Sequence, residues 1–408
     1  MKRVHVSDTK DTTSGNLPSE WDCVRFKEIV SDDAYGLSLP TDQSGNVTIL
    51  KMNSISDGKL SVDELDSVTC TEPEIEQYSI KRGDILFNRT NSFALVGKTA
   101  VVSKSARIVF ASYLVRYRVT DRASPQFIGY WFNYGKIQRR LKELATIGVS
   151  QNNINPTRLQ HDLHVPLPPL SEQQKIADIL GTWDEALEKL DALIAAKARR
   201  KQALTQQLLT GHRRLPGFSK QWKKTLLSEV AEECSVRNRE QLDRTRLFAV
   251  TKAEGMVPMR ENVQGKTINR CQLVERGWFA YNPMRINIGS IARWEGESAV
   301  MVSPDYVVFR SKETHLLSGY LNHLRRGTAW ADFVSAAGNG SVRIRIWFDD
   351  LGYFKFPLPA LDEQRAIAAV LDTADAELRL LRQQRTALDQ QKRGLMQQLL
   401  TGRIRVSP

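Results

Sequence analysis

The side chains of this sequence that could do chemistry gather in four short polar tracts. The first is Asn88-Arg89-Thr90-Asn91-Ser92, followed by Lys98, and the second is Ser150-Gln151-Asn152-Asn153. The third is Asn282-Pro283-Met284-Arg285-Ile286-Asn287, with Arg293 beyond it, and the fourth is Ser341-Val342-Arg343-Ile344-Arg345. Amides, hydroxyls and guanidinium groups in this mixture exchange hydrogen bonds and neutralise anions. None of the tracts holds a nucleophile beside a base or a set of metal ligands, so their chemistry is recognition, not bond making.

Signatures of catalysis fail residue by residue. Asn282-Pro283 begins like the Asn-Pro-Pro-aromatic motif of amino-methyltransferases. Met284 and Arg285 stand where a second proline and an aromatic are needed, and no glycine-rich S-adenosylmethionine loop precedes them. Pro304-Asp305 lacks the Glu-x-Lys of a metal nuclease, and there is no Walker lysine motif. His161 and His164 sit three apart without cysteines or acids at ligand spacing, which reads as a surface pair. The chain is thus expected to be non-catalytic.

Charge points to the partner. Lys and Arg number 58 against 46 acids, a net charge of +12, which favours an anionic partner and nucleic acid first. The four cysteines, Cys23, Cys70, Cys234 and Cys271, form no C-x-x-C pair and read as reduced thiols of a cytoplasmic protein. The longest apolar runs fall far short of the ~18 residues of a membrane span. Residues 1–16 read as a polar arm with no apolar core of a secretory signal.

The elements that position the tracts come from an internal duplication. PLPPLSEQQKIADIL begins at Pro166 and PLPALDEQRAIAAVL at Pro357, an offset of 191. Residues 170–211 and 361–402 share 19 of 42 positions without a gap, ending in an identical QQLLTG. Each copy predicts a long helix, capped at Ser171 or Asp362 and closed at Gly211 or Gly402. Ser171 with Gln174 forms a capping box that Arg365 removes from the second copy. Ile176, Leu180, Trp183, Leu187 and Leu190 in the first copy, and Ile367, Leu371, Leu378 and Leu381 in the second, follow alternating steps of four and three. That 3.5-residue seam, interrupted by Lys197, Lys201, Arg385 and Lys392, is a coiled-coil pattern. A helix of about 39 residues is roughly 58 Å long, too long for one small domain. The expected partner is its own duplicate, packed antiparallel as a rigid spacer.

The intervening segments are rich in β-type runs: 47–51, 84–88, 100–102 and 107–119 in the first, and 248–251, 278–281, 290–294 and 306–310 in the second. Weak echoes align them, such as Trp21 with Trp222, Arg82-Gly83 with Arg276-Gly277, and Tyr113 with Tyr306. The expected class is α+β: two similar mixed α/β domains, 1–168 and 215–358, joined by two antiparallel coiled-coil helices, 169–214 and 359–408, in a pseudo-twofold duplication. Near-copied helices with divergent domains suit one frame holding two recognition surfaces.

Taken together, Pro166-Leu167-Pro168-Pro169-Leu170-Ser171-Glu172-Gln173, its partner 357–364 and the two QQLLTG ends resemble the specificity subunits of type I restriction-modification systems. Lys81-Arg82-Gly83-Asp84-Ile85-Leu86 and Arg276-Gly277-Trp278-Phe279 are similar to that family's recognition domains, with Trp278 replacing Asp84. The resemblance implies two target-recognition domains that each read half of a split, asymmetric double-stranded DNA site. It implies two modification subunits using S-adenosylmethionine and two restriction subunits using ATP and Mg, with no cofactor in this chain and no membrane partner. A rod of ~58 Å matches about 17 base pairs at ~34 Å per turn. The expected DNA contacts are Asn88, Arg89, Asn91, Lys98, Gln151 and Asn152 in the first domain. In the second they are Asn282, Arg285, Asn287, Arg293, Arg343 and Arg345, with Arg suited to guanine and Asn to adenine. Two other readings fit the residues: a coiled-coil scaffold that binds no DNA, and a specificity subunit serving methylation alone.

Overall fold

Two helices of 40 residues, Leu170–Leu209 and Leu361–Leu400, carry the duplicated seam in a computed structural model that describes residues 2–3, 9–148, 151–261, 267–337 and 345–406. Each helix starts one residue before its expected cap. Ser171 and Asp362 therefore lie inside the first turn, whose Gln173 and Gln364 N–H groups bond the Pro169 and Ala360 carbonyls. Beyond each helix stands a glycine in the left-handed region, Gly211 (φ 73°) or Gly402 (φ 68°), the geometry that ends a helix without a Cβ clash.

The chain divides into two compact units, residues 1–190 with 384–408, and residues 191–383. The helices, expected as segments of their own, are each shared between the units. In the first unit Ile176 and Leu180 are buried with Met396, Leu399 and Leu400. In the second, Leu208 and Leu209 are buried with Ile367 and Leu371. Numbers rise along one helix as they fall along the other, so the halves run antiparallel within each unit. Leu187, Leu190 and Leu378 are buried, while Trp183 and Leu381 are half-buried. Three cations that interrupt the seam meet carboxylates of the opposite helix: Lys392 with Asp184 at 2.6 Å, Lys197 with Glu377 at 2.5 Å, and Lys201 with Asp375. The Lys392–Asp184 and Lys201–Asp375 pairs are the same pair in the two copies. Polar pairs inside a seam fix register at some cost in stability.

Each unit carries an antiparallel four-stranded sheet. Its order in the first unit is Thr99–Val101, Ile85–Asn88, Leu114–Val119, Val30–Tyr35. In the second it is Ile291–Arg293, Phe279–Tyr281, Val307–Ser311, Ala231–Glu233. Register matches too: Ile85 lies opposite Val101 and Tyr117, as Phe279 lies opposite Arg293 and Phe309. A second sheet in each unit is built on a parallel pair, Val47–Leu50 with Ile108–Phe110 and Leu247–Thr251 with Val300–Val302. The run expected over 107–119 is therefore two strands in two sheets. A turn closed by the Leu114 N–H on the Ala111 carbonyl separates them, hidden by the apolar residues on both sides. The expected polar arm is also partly strand: Thr9–Lys10 pairs with Leu17–Pro18, and Lys2–Arg3 with Ile404–Arg405.

Glycine opens both central strands. Gly83 (φ 90°) and Gly277 (φ 87°) hold equivalent turns, closed by Asp84 N–H on Lys81 and Trp278 N–H on Glu275. Asp84 is buried and accepts Arg118 Nε at 2.7 Å. At the matching place Arg310 lies over the Trp278 ring, 5.6 Å from its centroid, inside the ~6 Å at which a cation is attracted to a ring face. An ion pair in one copy is a cation–π contact in the other, so Asp84 serves the fold.

The Glu-Gln of the duplicated motif fastens helix to domain. Glu172, 2% exposed, accepts Trp21 Nε1 at 3.1 Å and Arg405 Nε and Nη2 at 2.7 and 2.8 Å. Glu363, 1% exposed, accepts Trp222 Nε1 at 2.9 Å and Arg214 Nε and Nη2 at 2.5 and 2.7 Å. Gln173 accepts the Ser124 N–H and donates to the Arg122 and Pro168 carbonyls. Gln364 repeats this with Leu317, His315 and Pro359.

Removing one partner of a buried ion pair strands the other and costs about 3–5 kcal/mol. Glu172→Ala should lower the denaturant midpoint of the first unit on that scale, and Glu363→Ala that of the second. A loss below about 1 kcal/mol in both would refute the clamp. A pH effect is also expected in the second unit. Burial holds the His323 pKa below its ordinary value despite Asp372 at 2.8 Å and the nearby Asp375, and the Arg326 cation lowers it further. The folded state then binds the proton more weakly than the unfolded one. Its contribution is complete above about pH 6.5 and is lost as pH falls below it. Unfolding midpoints measured from pH 7.5 to 5 should fall more steeply for the natural protein than for His323→Gln, and parallel curves would contradict this.

Candidate nucleic-acid interface

The polar tracts meet in pairs. In the first unit Thr90–Asn91 and Asn152–Asn153 form a two-stranded antiparallel ribbon, and the Ile154 N–H bonds the Arg89 carbonyl at 2.8 Å. In the second the Ile346 N–H bonds the Pro283 carbonyl at 3.1 Å, which sets Arg345 beside the 282–287 tract. The frames correspond further. Asn88 N–H bonds the Lys98 carbonyl and Asn282 N–H the Ser290 carbonyl, and each tract returns through a positive-φ glycine, Gly97 or Gly289. Ser150 and residues 341–344, including Arg343, lie outside the described residues.

Individual side chains have separate fates. Asn88 is fully buried, and its Nδ2 donates to the Met52 carbonyl at 2.9 Å. Asn91 and Asn152 are buried as well, and Asn91 Oδ1 accepts the Ser92 N–H. The Asn88 and Asn91 amides brace the loop, and with their side chains inside all three present little to a partner. Arg89 and Lys98 are half-buried and Gln151 is exposed. The Arg89 guanidinium lies over the Tyr35 ring at 5.1 Å, with its Nε buried and without a hydrogen-bond partner. In the second unit Arg285, Asn287 and Arg345 are exposed. Asn282 Oδ1 accepts the Met284 N–H and so braces the turn. Arg293 is half-buried, reaching Ser318 Oγ at 3.3 Å and Glu295 at 3.2 Å.

Sequence reasoning missed the apolar half of each surface. Phe93, Leu95 and Ile147 are exposed in the first unit, with Lys142 Nζ 5.6 Å from the Phe93 ring. Met284, Ile288 and Trp347 are exposed in the second. Large apolar groups in a strand-rich domain read as core. The available signal was their position inside or beside the polar tracts, since apolar side chains next to donors suit thymine methyl groups. Among the described residues no group of three His, Cys, Asp or Glu could hold a metal ion. No described helix is long and apolar enough to cross a membrane.

The burial pattern separates fold from surface. Asn88→Ala should cost about 1–3 kcal/mol of unfolding free energy by leaving the Met52 carbonyl unpaired. Arg285→Ala should stay within about 0.5 kcal/mol of the natural protein. Chemical denaturation of both variants checks this, and equal losses would contradict the assignment.

Comparison with known proteins shows what the chain is similar to. Residues 18–198 match the type I restriction modification DNA specificity domain. The chain is 26% identical over 419 residues to a Methanocaldococcus jannaschii protein named as the MjaX type I restriction enzyme specificity subunit, covering 97% of this chain and 96% of that one. It is 24% identical over 223 residues to the EcoKI specificity subunit of Escherichia coli, covering 51% of this chain and 48% of the relative. In fold it is similar to the type I restriction-modification S subunit of M. genitalium, with a TM-score of 0.58 and 16% identity over 93% of this chain and 96% of that one. The matched domain, the likeness along nearly the whole chain and the duplicated helix–domain architecture agree: the chain is similar to the specificity subunits of type I restriction-modification systems, and its residues 18–198 match the DNA specificity domain of that family.

Proposed function

We propose that this subunit reads a bipartite, asymmetric double-stranded DNA site, one half with each unit, and performs no catalysis itself. The observation that carries this is the contrast between frame and surface. Sheet order, register, glycine turns and the Glu-Gln clamp recur in both units. The side chains at the matching edge do not: Arg89, Lys98 and Gln151 stand in one, and Arg285, Asn287 and Arg345 in the other. One fold with two unlike donor sets suits two unlike half-sites. The net charge of +12 supplies attraction to phosphates on top of it.

Two modification subunits would dock on the duplicated frame, and two restriction subunits would join them. S-adenosylmethionine, ATP and Mg would belong to those partners. The complex with modification subunits is the species to test, against duplexes altered in one half-site at a time. Arg89→Ala should weaken binding by about 1–3 kcal/mol through one half-site only, and Arg285→Ala through the other. Equal weakening on specific and random DNA would assign both arginines to phosphates. No DNA binding by the complex at all would overturn the reading in favour of a protein scaffold.

A further inference from the structure

The second unit holds a cleft of about 730 Å³ that has no counterpart in the side chains of the first. Its floor is the strand Ile291–Arg293, its walls are the 251–256 turn and the helices Ser318–Leu324 and Thr328–Ala337, and Arg382 of the second long helix closes one side. Five cations line it, Lys252, Arg293, Arg325, Arg326 and Arg382, against two carboxylates, Glu254 and Glu295; Arg293 pairs with Glu295 and Arg326 with Asp375, each at 3.2 Å.

Arg325 is the unusual member. It donates to Asn322 Oδ1 at 3.0 and 2.7 Å and to the Ile291 carbonyl at 3.0 Å, all neutral acceptors. It forms no ion pair among the described residues, although a desolvated cation ordinarily requires one. Arg293 Nε is buried without a hydrogen-bond partner. Burial, then the Arg326 and Arg293 cations, push the Arg325 pKa down to about 9, still protonated at neutral pH. Crowded cations of this kind are relieved by an anion placed among them.

The first unit shows that the fold does not need these charges. Sheet register sets Val101 where Arg293 stands, each opposite the matching strand residue, Ile85 or Phe279. Gln173 binds the Ser124 N–H as Gln364 binds the Leu317 N–H. Asn133 Nδ2 donates to the Thr99 carbonyl as Arg325 donates to the register-matched Ile291 carbonyl, which sets Asn133 and Tyr134 where Arg325 and Arg326 stand. The hairpin Ile55–Ser56 and Lys59–Leu60 packs over this region, with Gly58 against Asn133. In the second unit the hairpin Leu247–Thr251 with Gly255–Pro258 packs on Ile291–Arg293, with Gly255 against Ala292, and its turn leaves the cleft beside it. Three cations in one copy are neutral in the other.

We infer that this cleft is a binding site for a phosphate-bearing ligand, present in the second unit alone and centred on Arg293, Arg325 and Arg326. Guanidinium groups match phosphate oxygens in charge and donor geometry, and the volume admits a group as large as a nucleotide. The phosphate could belong to a DNA backbone or to a small free ligand. The inference does not depend on the chain reading DNA.

The test uses the full chain with its modification subunits. Pyrophosphate binding is followed by calorimetry, and binding of a random-sequence duplex by gel shift across a salt series. Arg325→Gln is the direct variant. Because Arg325 also holds the Ile291 carbonyl, Ala331→Glu, at an exposed lining position, adds a carboxylate to the cleft without removing that bond. Both should weaken pyrophosphate at least ten-fold while the unfolding midpoint of Ala331→Glu stays put. Val101→Ala in the first unit should change nothing. Parallel loss of duplex binding with a shallower salt slope would identify a DNA phosphate as the occupant, and unchanged duplex binding a free ligand. No pyrophosphate binding by the natural complex, or binding untouched by both variants, would overturn the inference, whatever the duplex does.

Discussion

A buried carboxylate at the start of each long helix constrains everything else in this protein. Glu172 and Glu363 sit at the first turn, where the macrodipole favours negative charge, but burial would be prohibitive without donors. The donors come from far along the chain: Trp21 and Arg405 for Glu172, and Trp222 and Arg214 for Glu363. Arg214 follows the end of the first long helix and Arg405 the end of the second. Each helix start is therefore tied both to its domain and to the tail of the other helix. The clamp makes the antiparallel pairing obligatory in both units, and Gln173 and Gln364 set the helices that begin at Pro125 and Ser318 against it.

Around that fixed frame the two copies exchange chemistry without exchanging geometry. Asp184 takes the seam lysine Lys392 and the Tyr130 hydroxyl, while Asp375 takes Lys201 and the Arg326 guanidinium. Arg118 pairs with buried Asp84, whereas Arg310 rests on Trp278. Substitutions of this sort keep these charged groups partnered, so the fold survives them. They also show how the domains could diverge almost beyond recognition while the helices stayed near-copies: the frame is held by a few clamped residues, and the tracts at the sheet edge are not among them.

Much of this was legible in the residues. The duplication located both helices and their seam because a 3.5-residue repeat survives substitution of any one member. The Arg-Gly turns located the central strands because only glycine suits a φ near 90° there. The roles of individual polar residues were not legible. Asn88 and Arg89 are neighbours in sequence, yet Asn88 ends a strand buried along its whole length and Arg89 stands just beyond it, half-buried against Tyr35. The break within 107–119 was hidden because apolar residues occupy both faces of a strand that changes sheet. Exposed Phe93, Met284 and Ile288 were hidden for the opposite reason, since their type alone implies a core.

The central claim is that one duplicated frame presents two independent readers to DNA. Mapping of modified adenines in a genome that encodes this chain, with and without it, tests it most directly. The account predicts a methylated motif of two short specific halves, unlike each other and separated by a fixed run of unspecified bases. A single continuous motif, or none that depends on this chain, would contradict it.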